Sequence, residues 1–208
     1  TEPAVYAPSA SIAIVRACDV ADPSGDGVLV GDEALFLVEL DDGLRPAAEP
    51  AMDRTREVGW LRFDGTPALW LGDAEAVDAF VDLGATLLSA ELLGASSQAM
   101  DLAVAYAKDR QQFGRPIGSF QAVKHRCADM LVDVEGMRST TYWAAWCLSA
   151  DDTDEAVAAS TAKIWCADAS KRVMASALQV HGGVGFTWEH DLHFFMKRAQ
   201  LDQLAFGD

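Results

Sequence analysis

The sequence predicts an α+β protein: a small antiparallel β segment over residues 1–72, followed by an up-and-down four-helix bundle over residues 73–208. Three observations predict it. Short apolar runs broken by Gly, Pro and Asp fill the first part, and this is strand-and-turn chemistry. From about Asp73 the apolar spacing changes to three-and-four, the period of a buried helix face. The helical segments are joined by short connections, which places them side by side as antiparallel neighbours. Half of the 208 residues are apolar, enough to bury a sizeable core.

The first strands are read at Ser11–Val15, Gly27–Val30 and Ala34–Leu40, separated by turns at Pro23–Gly27 and Asp41–Gly43. Val58–Phe63 and Pro67–Leu71 are read as further strands around Asp64-Gly65. The first helix is expected from about Glu75 to Asp109. The second carries Phe120, Val123, Cys127, Met130, Val134 and Met137 as its core stripe and continues to about Ser149. Asp152 with Glu155 resembles a capping box that opens a third helix. Its stripe is read as Val157, Thr161, Ile164, Trp165, Val173, Ala177 and Val180, and Gly182-Gly183 stops it. Thr187 is expected to cap a fourth helix, with Glu189 and Asp191 in its first turn and an end near Gly207. Trp143, Trp146 and Trp165, at helical spacing, are expected in the core.

Lys plus Arg number 16 against 32 Asp plus Glu, a net charge of −16. Such a balance repels phosphate backbones and anionic lipid surfaces, so nucleic-acid and membrane roles are disfavoured. No apolar run approaches the length of a membrane span, and Thr1-Glu2-Pro3 begins neither a signal nor a transit peptide. Cys18, Cys127, Cys147 and Cys166 show no metal or redox spacing and are read as reduced core thiols of a cytoplasmic protein. His190 and His193 lie one helical turn apart, but without a third ligand they are read as solvated side chains and no metal is expected.

The richest segment for chemistry is Ala107–Lys124, which joins two helices through a Gly/Pro break. Arg110 offers a planar fork of donors suited to phosphate, and Gln112 and Gln121 offer amides for ribose or phosphate oxygens. That combination reads as a site for a phosphorylated cofactor. Arg-x-x-Phe-Gly-x-Pro-Ile-x-x-Phe-Gln, from Arg110 to Gln121, resembles the flavin-contacting helix connection of acyl-CoA dehydrogenases. Gln179-Val180-His181-Gly182-Gly183 looks like that family's second signature, by which a neighbouring subunit reaches the FAD.

The resemblance implies FAD contacts by Arg110, Gln112, Phe113, Gln121, Gln179, Gly182 and Gly183, with His181 beside them. It also implies an N-terminal helical domain, absent here, ahead of the β domain, so the chain is read as a fragment or a short member. The reaction implied is α,β-dehydrogenation of an acyl-CoA thioester, in which a Glu takes the α-proton. The two positions where the family carries that Glu fall on Phe206 and Gly84, and an Arg that often follows the second falls on Ala85. No catalytic residue is assigned. Glu91, about two turns or roughly 10 Å along the helix from Gly84, and Asp208 are weak substitutes.

The resulting expectation is a subunit that contributes FAD contacts to a heteromeric enzyme of fatty-acid or steroid side-chain β-oxidation, with an electron-transfer flavoprotein-like acceptor. A self-sufficient homo-oligomer with a displaced base, or a non-enzymatic association module, are the alternatives. Oligomerisation is expected in each case, on the reasoning that the two cofactor segments lie at different ends of the bundle helices.

Overall fold

The computed structural model describes residues 3–18 and 33–207. The strand read at Gly27–Val30, the turn at Pro23–Gly27 and Asp208 lie outside the described residues. The chain divides into two compact units, Thr1–Val81 and Asp82–Asp208.

In the first unit, β1 (Pro3–Val5) pairs antiparallel with β4 (Val58–Trp60). A three-stranded antiparallel sheet has the order β2 (Ile12–Cys18), β3 (Glu33–Glu39), β5 (Leu69–Gly72). The two strands flanking Asp64-Gly65 therefore pair with other strands rather than with each other. The predicted turn at Asp41 forms: one carboxylate oxygen accepts the backbone N–H groups of Gly43 and Leu44 at 2.9 and 3.0 Å. Arg45 then donates to the carbonyls of Ala10 and Leu40 at 3.1 and 3.0 Å, tying the start of β2 to the end of β3.

The second unit is built from α1 (Ala74–Asp109, which starts in the first unit's range), α2 (Gln121–Ala150), α3 (Glu155–His181) and α4 (Leu192–Leu204). Ala95, Ala99, Ala103 and Ala107 recur every four residues along α1 and are buried against Met130, Val134 and Met137 of α2 and Val173 and Ala177 of α3. Small residues at that spacing let helix axes approach closely, and the larger side chains of the facing helices fill the groove.

Two parts of the helical reading are corrected. The C-terminal half of the α3 stripe is buried, but its N-terminal half is out of phase: Val157 and Ile164 are 62% and 59% exposed, while Ala158, Ala159, Ala162 and Cys166 are fully buried. Trp143, Trp146 and Trp165 are also exposed rather than core. Hydropathy spacing selects the largest apolar side chains, whereas this interface is packed by alanines, so the large residues remain on the outer faces. Exposed apolar surface of this extent is typical of interaction faces.

The fourth helix begins at Leu192, five residues after Thr187. The Thr187 hydroxyl donates to the Val184 carbonyl at 2.9 Å and closes a 3-10 turn over Gly182–Phe186. At the start of α3, Asp152 accepts from the Asp154 N–H at 3.0 Å, and no side chain caps the helix itself.

Candidate functional site

The segment after α1 folds as a minimal hairpin. Ile117 donates its N–H to the Arg110 carbonyl at 2.8 Å, and β6 (Gln111–Gln112) pairs with β7 (Arg115–Pro116). Phe113 and Gly114 form its two-residue turn, with φ of 54° and 78°. Both central residues of such a turn must be left-handed, which glycine accepts freely and phenylalanine does only under strain. Phe113 is 93% exposed, its ring edge-on to Phe120 at 6.1 Å.

At the end of α3, Gly182 adopts φ 62° and ψ −139°, a conformation that side chains disfavour, and donates its N–H to the Leu178 carbonyl. The chain turns sharply there, and Gly183 and Val184 swing beside the hairpin.

These two segments share one cavity of about 520 Å³. Arg110, Gln112 and Ile117 line it from the hairpin and the turn after it, and Tyr106 from the last turn of α1. Val180, His181, Gly183 and Val184 close it from the end of α3. The expectation that the segments lie at different ends of the bundle is thus corrected. In an up-and-down bundle the first and third helices run the same way, so their C-termini meet at one end. Four other candidate residues lie outside the cavity lining: Gln121, Gln179 and Phe113, which are exposed, and Gly182, which is half-buried.

Among the described residues the Arg110 guanidinium meets no acidic side chain. The Gln112 amide donates to the Gln111 carbonyl at 2.8 Å. An Arg fork, a glycine that lets backbone approach closely and apolar walls from Tyr106, Ile117 and Val180 together suit a ligand that is part phosphate and part flat ring. Tyr106 was not picked out from the sequence, though it lies four residues before Arg110 on the same helix face.

His181 is buried at 3% exposure, and burial lowers its pKa below the ordinary 6.5. The nearby His190 uses its Nδ1 to accept the Leu192 N–H at 3.1 Å. Among the described residues no group of three His, Cys, Asp or Glu could hold a metal ion.

A second locus lies at the end of α4, within the same unit. Phe206 and Gly207 both have positive φ, 55° and 96°, and the Phe206 ring packs onto Gly84 of α1 so closely that a Cβ at position 84 would overlap it. Lys163 of α3, only 4% exposed, donates to the Gln203 carbonyl at 2.8 Å and to the Gly207 carbonyl, which fixes the turn bearing Phe206. Ala85 is buried beside Gly84. Glu91 is ion-paired with Arg198 of α4. Lys163 stands in an apolar stretch of α3, and that break in the pattern was the available sequence signal for it.

The family description "Acyl-CoA dehydrogenase, C-terminal domain" matches residues 75–208. The acyl-CoA dehydrogenase IpdE2 of Mycobacterium tuberculosis is 40% identical over 187 residues, which cover 86% of this chain and 55% of that protein. The solved ChsE4-ChsE5 complex from Mycobacterium tuberculosis superposes with a TM-score of 0.83 at 32% identity, covering 99% of this chain and 55% of that one. A variant of the Tcur3481-Tcur3483 steroid ACAD superposes at 0.82 with 31% identity, covering 95% of this chain and 52% of the other. The chain spans about half the length of the relatives it matches.

Proposed function

The chain belongs to the acyl-CoA dehydrogenase family, and from that premise we propose that it serves a heteromeric enzyme as the subunit that supplies FAD contacts but no catalytic base. The reaction is α,β-dehydrogenation of an acyl-CoA thioester, and a second, base-bearing subunit takes the α-proton.

The observation that carries this reading is the packing of Phe206 onto Gly84. The two positions at which the family resemblance seats its Glu carry residues that take no proton, and they fill one another's space. A carboxylate at position 84 has no room while Phe206 stays in place. The nearest substitute, Glu91, is engaged with Arg198.

The cavity fits FAD by its donor set. Arg110 suits the pyrophosphate, the backbone at Gly183 comes close to it, and Tyr106, Ile117 and Val180 shield the ligand from water. When bound, FAD supplies a ring that accepts hydrogen from the thioester. Gln121, Gln179 and Phe113 are exposed here, and we assign them to the part of the cofactor that extends beyond this cavity or to a neighbouring subunit. The likeness to the ChsE4-ChsE5 complex and to the Tcur3481-Tcur3483 steroid ACAD supports a heteromer, and the latter supports a steroid-type acyl group. An electron-transfer flavoprotein-like carrier would reoxidise the flavin. Cys127, Cys147 and Cys166 are free thiols, in keeping with a cytoplasmic setting, and no helix of the described residues is long and apolar enough to cross a membrane.

Glu91→Gln separates this reading from a self-sufficient enzyme with a displaced base. In the complex with its partner, the variant is expected to retain flavin reduction by an acyl-CoA, followed as loss of flavin absorbance. Its thermal stability should fall by about 1 kcal/mol or less, the worth of a partly exposed ion pair. Reduction abolished while the flavin stays bound would assign the base to Glu91.

A further inference from the structure

His181 is a buried imidazole with one nitrogen engaged and the other idle. Its Nδ1 lies 2.8 Å from the Ala177 carbonyl oxygen, one turn back along α3, and its Nε2 meets no hydrogen-bond partner among the described residues. A carbonyl oxygen only accepts, so the proton of the neutral ring sits on Nδ1 and Nε2 carries a free lone pair.

Neighbours hold the ring in that orientation. Tyr106 stacks on it with centroids 4.8 Å apart and planes 28° from parallel, and the His190 ring lies 4.4 Å away at 60°. Burial, the largest influence, and the neighbouring His190 both oppose a positive charge on His181, against the favourable pull of the Ala177 carbonyl. A buried acceptor left unpaired is costly, and such groups in native proteins call for a partner. His181 lines the same cavity as Arg110 and Gly183.

We propose that His181 is a positioning and specificity residue for the adenylate half of the bound dinucleotide, its Nε2 accepting a hydrogen bond from a ribose hydroxyl or the adenine amino group. This rests on the FAD reading of the cavity and adds to it a chemical discrimination. Arg110 alone would accept any phosphate. Inorganic phosphate brings oxygens that mainly accept, whereas an adenylate brings hydroxyl and amino donors. An acceptor beside a cationic fork therefore selects a nucleotide over a bare anion.

The test is nitrogen NMR of the chain with ¹⁵N-labelled histidine, in its native oligomeric state, titrated with ADP, FAD and inorganic phosphate. In the free protein, His181 should show a protonated Nδ1 and an unprotonated, unbonded Nε2. ADP and FAD should move the Nε2 resonance toward that of a hydrogen-bonded acceptor, and phosphate should leave it in place. His181→Phe, which keeps the ring stack, should weaken ADP about tenfold, equivalent to about 1.4 kcal/mol, with phosphate affinity unchanged. Bound ADP or FAD with an unmoved Nε2, or a proton found on Nε2 in the free protein, would overturn the inference while leaving the FAD reading intact. Failure of both ADP and FAD to bind would overturn the FAD reading itself and this inference with it.

Discussion

Replacing Arg110 with alanine is expected to weaken FAD binding about 10- to 100-fold. A hydrogen bond to a charged group contributes about 1.5–3 kcal/mol, and each 1.4 kcal/mol is a factor of ten in affinity. Arg110 is exposed, just past the last turn of α1, and lines the cavity without an acidic partner among the described residues, so its removal leaves the core untouched. The circular dichroism spectrum and thermal midpoint should therefore match the parent's while flavin fluorescence titration shows the loss. Arg110→Lys keeps the charge but not the planar fork, and an intermediate affinity is expected. An unchanged affinity for the alanine variant would make Arg110 an ordinary surface residue.

Gly84→Ala is expected to destabilise the protein, although alanine is the better helix former. Alanine in place of a helical glycine gains up to about 1 kcal/mol. At position 84 the new methyl overlaps the Phe206 ring, whose backbone is held through Lys163, so the ring has little freedom to retreat. Overpacking of this kind costs about 1–3 kcal/mol, so the net effect is a loss. Gly94, on the same helix, has nothing within 4 Å of an added Cβ, and Gly94→Ala should stabilise. Adding Phe206→Ala to Gly84→Ala should remove the penalty, because the two sites share one contact. Urea melts of these variants provide the check, and equal effects at positions 84 and 94 would contradict the packing.

The sequence was a good guide wherever a local pattern decides the structure. The three-and-four spacing placed α1 and α2 within a residue or two, since long amphipathic helices are written along the chain. It misled at the start of α3, where Val157 and Ile164 look like core but alanines make the seam. The tight turn at Phe113-Gly114 also escaped notice, because phenylalanine is not a residue that ordinarily takes a left-handed position. Within the candidate site, Arg110, Gln112 and Gly183 were legible from motif chemistry. Their meeting in one cavity followed from the up-and-down topology, yet the two segments were assigned to opposite ends. The fit of Phe206 over Gly84 had no local signal at all, since more than a hundred residues separate them and only the folded bundle brings them together.

Dependence on a base-bearing partner is tested most directly by the FAD content of the chain, purified alone and together with such a partner of the same family, followed by addition of an acyl-CoA. The chain alone is expected to leave flavin absorbance unbleached by the thioester, while the mixed complex holds FAD and is bleached. Full flavin on the chain alone, bleached by an acyl-CoA without any partner, would contradict it.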